Sequence, residues 1–176
     1  VHSVFDFPDY NSGLTIFTGS ILFTFQLYFD FSGYTDAARG ISYMFGIDLP
    51  ENFNLPFSST SITEFWRRWH MSLMRFFSDY IYFPLTYRFR KMKKHAAATG
   101  IIFTLLISGL WHGIGLTFLI WSICHILYLL FELYVFKNNN QIVGLKKHIR
   151  AFYVLFLVAF SNVFFRVTDL QMLKLK

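Results

Sequence analysis

The chain has 176 residues, of which 55% are hydrophobic, 22% aromatic and only 15% charged, against about 25% charged in a soluble domain. Its mean hydropathy is +0.43, and its 24 Phe include clusters such as Phe23, Phe25, Phe29 and Phe31. A soluble core of this size does not need so many rings, so a water-soluble domain is excluded and a membrane-embedded one expected.

The net charge of +6 gathers at residues 88–94 and 146–150, between long apolar segments. Basic runs so placed argue against a nucleic-acid-binding face. They read either as solvated loop charge or as short basic loops retained on the cytoplasmic side of a membrane. Cys124 is the only cysteine. An internal disulfide and a Cys-rich metal site are therefore ruled out, and its apolar setting reads as that of a small buried hydrophobe. Val1 stands where an initiator Met would, no signal-peptide pattern follows, and Phe5, Phe7, Pro8 and Asp9 read as a loop. These features suggest a piece of a longer protein.

Residues 14–31 form the first candidate span, with Asp30 its one charge. Thr15, Thr18, Gly19, Ser20 and Thr24 give it a small, hydroxylated face suited to helix–helix packing. Asp36 and Arg39 follow at a spacing that puts opposite charges on one helical face. Residues 46–61 read as a loop, because Pro50 and Pro56 disfavour a continuous helix. Ser61 and Glu64 then match a capping box, opening a helix expected over residues 64–83. That helix mixes Arg67, Arg68, His70, Arg75 and Asp79 with Trp66, Trp69, Tyr80 and Tyr82. Such a mixture suits an interfacial or re-entrant helix, or one buried in the protein, rather than a lipid-facing span.

Residues 96–136 are apolar for long enough to cross a bilayer twice, at about 20 residues per crossing. Gly109, Gly113 and Gly115 mark the break between the two crossings. A last, shorter span covers residues 149–165. The fold class expected is all-α: multi-pass transmembrane helices with interfacial or re-entrant helices.

His112 lies at the glycine break. An ionisable side chain at membrane depth is costly and marks a functional site by default. Free imidazole titrates near pH 6.5, so a neutral ring beside a hydroxyl can act as a general base. The competing reading is a structural histidine that donates to a carbonyl freed by the glycines. For His70, between Trp69 and Met71, an interfacial anchor among snorkelling arginines is the alternative to a chemical role. His125 reads as a packing residue, and His2, His95 and His148 as solvated. No zinc site is expected, since His70, His112 and His125 lack metal-ligand spacing. Phosphate-loop and nucleophile-elbow motifs are also missing, so the chemistry rests on histidine.

The run from Gln26 to Gly40, Gln-Leu-Tyr-Phe-Asp-Phe-Ser-Gly-Tyr-Thr-Asp-Ala-Ala-Arg-Gly, resembles the membrane-bound O-acyltransferases, specifically their bacterial polymer-acylating branch. Three further blocks agree in order: residues 50–57 (Pro-Glu-Asn-Phe-Asn-Leu-Pro-Phe), residues 63–73 running into 79–84, and residues 108–113 (Ser-Gly-Leu-Trp-His-Gly). The resemblance implies that His112 is the family's catalytic histidine and His70 its second motif histidine. Trp111, Trp66, Arg67, Arg68, Trp69 and Asp36, in the same blocks, become the candidate substrate contacts. At His125 the family often has His-Gly, whereas Ile126 follows here.

The branch further implies an acetyl group taken from a cytoplasmic thioester, acetyl-CoA, and passed to hydroxyls of a cell-surface polysaccharide, with no bound cofactor. It implies an inner-membrane location, surrounding lipid and a periplasmic or extracellular acyltransferase- or esterase-like partner. Residues 1–176 would be the C-terminal part of one transmembrane domain, inactive in isolation. D-alanyl transfer to teichoic acid is the alternative within the class. Outside it stand a transport subunit whose broken helix lines a substrate path and a scaffold that only recruits a transferase.

Overall fold

A computed structural model of the chain describes residues 12–135 and 144–166. His2, the loop at residues 5–9 and the end of the long apolar run at Phe136 lie outside them. Every regular element among the described residues is helical, apart from one isolated antiparallel bridge between Phe53 and Trp69.

Helix α1 runs from Gly13 to Met44, with Ser12 as its N-cap accepting from the Thr15 N–H at 3.2 Å. It is longer than the 14–31 span expected, because nothing in residues 32–44 breaks it and Asp36 pairs with Arg39 at 4.0 Å. At 1.5 Å per residue its 32 residues extend about 48 Å, beyond the roughly 30 Å hydrocarbon layer. Gly46, at φ 72°, ends it in a Schellman turn: Ile47 N–H donates to the Ser42 carbonyl and Gly46 N–H to that of Tyr43, both at 3.0 Å.

The following loop folds back on the helix, Arg39 donating to the Leu49 carbonyl at 3.2 Å and pairing with Glu51 at 3.5 Å. Helix α2, Ile62–Arg68, starts at the expected cap, with Ser61 Oγ accepting from the Glu64 N–H at 3.0 Å. The Glu64 carboxylate completes the motif one residue early, taking the Thr60 N–H and hydroxyl at 2.8 and 3.0 Å.

The single helix expected over 64–83 is interrupted. Trp69 is extended and His70 is left-handed, at φ 44° and ψ 54°, before α3 resumes over Met71–Phe77. The cause is tertiary. The loop's main chain pairs with this stretch, Asn54 N–H donating to the Arg68 carbonyl and Met71 N–H to that of Asn52, both at 3.0 Å. A π turn at Ser78–Tyr82 leads into α4, Phe83–Arg88, where Pro84 sits at a first-turn position that needs no N–H.

Helices α5 (Lys94–His112) and α6 (Leu116–Tyr134) form an antiparallel hairpin, closed at its open end by the Tyr134 hydroxyl on His95 Nδ1 at 2.9 Å. His95, expected to be solvated, is exposed but holds this bond. Gly109 lets the hairpin close, since a Cβ there would lie 3.0 Å from the Phe118 carbonyl oxygen and overlap Ser122. Helix α7, Leu145–Arg166, packs on both α6 and α1. Asn162 on α7 donates to the buried Thr24 hydroxyl of α1 at 3.2 Å, the packing role its hydroxylated face predicted.

Helices α1, α5, α6 and α7 are each long and apolar enough to cross a membrane, as expected of a multi-pass membrane protein. Helix α2 packs one side into the protein. Ile62, Phe65, Trp66 and Trp69 form a buried core with Trp121, Val154 and Val158 of α6 and α7, whereas Phe76, Tyr80 and Phe83 further along the 64–83 stretch are exposed. Cys124, expected to be buried, is only partly so.

Candidate active site

The turn joining α5 to α6 carries the site. Gly113 stands at φ 157°, and a Cβ there would come within 2.6 Å of the Phe118 ring. Only glycine lets the chain pass Phe118 and turn so sharply. His112, the last residue of α5, is thereby directed inward. Its ring meets Trp121 at 5.5 Å and Phe165 at 5.0 Å, both edge-on, and lies nearly parallel to Phe118 at 6.3 Å.

Beside it is a cavity of about 250 Å³ lined by all three histidines singled out in the sequence: His70, His112 and His125. Aromatic rings form most of its wall, with Ser108 and Asn162 as polar points. Among the described residues, no three His, Cys, Asp or Glu side chains stand close enough together to share a metal ion. Among the described residues its lining carries no Asp, Glu, Lys or Arg, so the imidazoles are its ionisable groups.

His70 reaches the cavity from the break between α2 and α3. Its Nδ1 lies 3.2 Å from Asn52 Oδ1, and burial lowers its pKa below the ordinary imidazole range. His125 is 1% exposed, yet both its ring nitrogens lack a hydrogen-bond partner. Its ring packs on Trp66 at 5.1 Å and Trp121 at 4.9 Å. A buried imidazole with neither nitrogen paired to a protein group is uncommon, and its ring sits in the packing position expected of it. The sequence signal was its place one turn after Trp121, on the helical face that looks toward His112. Asn52 was also missed, because only the tertiary pairing of its loop brings it to His70.

A second cavity, about 760 Å³, lies on the other side of Trp66 and Met74, which line both spaces. It touches α5 at residues 101–105 and α6 at 129–133, whereas the histidine cavity touches them at 108–112 and 121–125. The larger cavity therefore sits nearer the open end of the hairpin, where the basic residues of 88–94 lead into α5. Arg67, Arg75, Asp79 and Glu132 give it a polar, mixed-charge lining.

The remaining candidates separate clearly. Trp66 and Trp69 line the histidine cavity, as does Trp111, whose side of the wall is 60% exposed. Arg67 lies in the second cavity. Arg68 lines neither, being held by Glu64 at 2.8 Å and near the Asn54 carbonyl at 3.3 Å. Asp36 also lines neither and is exposed beside Arg39.

Comparison with known proteins identifies the family. The family model of the membrane-bound O-acyltransferases matches residues 3–173. The peptidoglycan O-acetyltransferase of Helicobacter pylori is 48% identical over 106 residues, covering 60% of this chain and 20% of that protein. The protein named Probable alginate O-acetylase AlgI of Pseudomonas syringae pv. tomato is 44% identical over 122 residues, 69% of this chain and 23% of its own length. The teichoic acid D-alanyltransferase of Bacillus subtilis is 42% identical over 108 residues, 58% of this chain and 27% of that protein. The chain thus spans under a third of the length of these relatives.

Proposed function

The chain belongs to the membrane-bound O-acyltransferase family, and from that premise we propose that it forms the histidine-bearing part of an enzyme acetylating hydroxyls of a cell-surface polysaccharide. The observation that carries the reading is the cavity at the α5–α6 break, where His112, His70 and His125 share one aromatic-walled space. The residues form one piece of a single family domain, with lipid around its four spans, in the inner membrane.

The chemistry is a direct acyl transfer. The polymer hydroxyl attacks the thioester carbonyl, His112 takes its proton, and the C–S bond breaks as the C–O bond forms. The departing thiolate then receives that proton, leaving ester and free thiol. Low-dielectric walls strengthen each polar contact made to the reacting atoms. The basic residues near the start of α5 and α7 favour a cytoplasmic position for that end of the hairpin. A cytoplasmic thioester such as acetyl-CoA would then enter through the larger cavity, where Arg67 and Arg75 suit its phosphates. The acceptor would approach from the opposite face, presented by a periplasmic or extracellular acyltransferase- or esterase-like partner.

The test is polymer acetylation in cells carrying the full-length protein with His112→Ala. Loss of acetate from the polymer at unchanged protein level is expected; wild-type acetate content would end the assignment of the base. D-alanyl transfer to teichoic acid remains the second reading, favoured by the 42% identity to a protein of that name. Mass analysis of the polymer separates the two.

A further inference from the structure

Asn52 Oδ1 receives three groups at once. The backbone N–H of Ser72 lies 3.1 Å away, the Ser72 hydroxyl 2.6 Å and His70 Nδ1 3.2 Å. A backbone N–H can only donate, so the Asn52 atom facing it is the carbonyl oxygen and not the amide nitrogen. An amide oxygen has only lone pairs to offer, so the ring nitrogen in front of it must carry a proton. In a neutral imidazole the other nitrogen is then bare.

We propose that Asn52 is a positioning residue that locks His70 as the Nδ1–H tautomer, leaving an unprotonated Nε2 for the cavity shared with His112 and His125. The backbone makes the lock rigid. Met71 N–H donates to the Asn52 carbonyl, and His70 occupies a left-handed conformation that the bridge between Phe53 and Trp69 holds in place. The Phe31 ring stands edge-on to the imidazole at 4.7 Å and restricts its rotation.

A bare Nε2 accepts protons and cannot donate one. His70 is therefore set to receive a hydrogen bond from the acceptor hydroxyl or from a protonated His112, and to pass through the charged state only after taking a proton. Among the described residues, the other ionisable groups on this cavity are His112 and His125, and no Asp, Glu, Lys or Arg lines it. A charge placed at position 52 would consequently be the nearest counter-charge that His70 meets. The consequence for turnover rests on the acyl-transfer reading; the tautomer itself does not.

The full-length protein, carrying 15N-labelled histidine, reads the tautomer directly when its imidazole spectrum is compared with that of His70→Gln. A protonated Nδ1 with a bare Nε2 at neutral pH is expected, and an Nε2–H tautomer overturns the proposal without any change at Asn52. Asn52→Asp then keeps an acceptor for Ser72 and His70 but adds a negative charge, favouring protonated His70. The pH at which His70 becomes half-reactive toward diethyl pyrocarbonate, read by mass spectrometry of its peptide, should rise by on the order of one unit or more. An unchanged midpoint in a folded variant overturns the proposal. Polymer acylation by Asn52→Asp should fall at neutral pH and recover as the pH is raised, whereas Asn52→Leu should lose about tenfold or more in kcat at every pH. A shifted His70 midpoint in a protein that transfers no acyl group would leave the lock standing and refute the acyl-transfer reading alone.

Discussion

Glu132, near the end of α6, accepts both the backbone N–H and the hydroxyl of Thr63, at 2.9 and 2.8 Å, and also takes the N–H of Ile62. A carboxylate from one helix thus caps the first turn of another, across 69 residues of sequence. Orphan N–H groups at a helix N-terminus are suited to such an anion. The cap fixes α2, which carries Trp66 and leads to His70, against the hairpin that carries His112 and His125. Removing the carboxylate with Glu132→Ala leaves these N–H groups without a charged acceptor and should cost about 2–3 kcal/mol, while Glu132→Gln, which retains one oxygen, should cost about 1 kcal/mol. Unfolding of the full-length protein in detergent measures both. Equal stability of Glu132→Ala and wild type would remove the cap from this account.

The sequence carried the spanning helices because their signals are local. The runs of apolar residues, the glycine break and the Ser61 cap each act within a few positions. It also carried His112 and His70 as candidates, one from its depth and both from their motif blocks. What it could not carry depends on pairing across the fold. Trp69 and His70 look helical until the loop at Asn52 and Asn54 pairs with Met71 N–H and the Arg68 carbonyl on either side of them. Glu132 reads as the stray charge of a span until it meets Ile62 and Thr63. Arg68 and Asp36 share motif blocks with the cavity residues but face elsewhere, since neighbours on a helix point in different directions.

His125 offers a way to separate chemistry from packing. Its ring fills space among Trp66, Trp121 and Tyr128, so Phe should replace it with little change in volume. Two buried polar atoms without partners disappear in the exchange, and stability should hold or rise by about 1–2 kcal/mol. Transfer to the polymer should nevertheless fall by about tenfold or more if an imidazole nitrogen addresses the guest. Turnover equal to wild type in the folded His125→Phe protein would make His125 a packing ring after all.

The burial of His70 gives stability a pH dependence of known sign. Its pKa in the folded chain lies below the ordinary value because burial disfavours the charged ring. On acidification the unfolded chain binds the proton first, starting near pH 6.5, and the folded chain only later. The contribution of the neutral ring is therefore complete above about pH 6.5 and is lost as the pH falls through the folded value. Wild type should lose more unfolding free energy than His70→Gln between pH 7.5 and pH 5, two assay values set about one unit or more either side of free imidazole. Parallel losses in the two proteins would show that another group sets the acid sensitivity.

Met74 and Trp66 stand between the two cavities, and whatever passes from one to the other must pass them. On the acyl-transfer reading, the acyl group would lie in the histidine cavity of about 250 Å³, with Met74 limiting how far its chain can extend. Met is the flexible member of the pair and the one a donor tail can displace. Met74→Ala removes that obstruction and leaves apolar space in which extra methylenes can lie. Each buried methylene is worth about 0.8 kcal/mol, so the preference for butyryl over acetyl should rise by up to about fourfold per methylene. Met74→Trp should close the passage and slow transfer of both while leaving the three histidines intact. Membranes containing the full-length variants, supplied with equal acetyl and butyryl thioesters, give the ratio directly from the masses of the modified polymer. If Met74→Ala keeps the wild-type ratio and Met74→Trp keeps the wild-type rate, the acyl group does not travel between these cavities, and the donor must reach His112 from the side of Trp111.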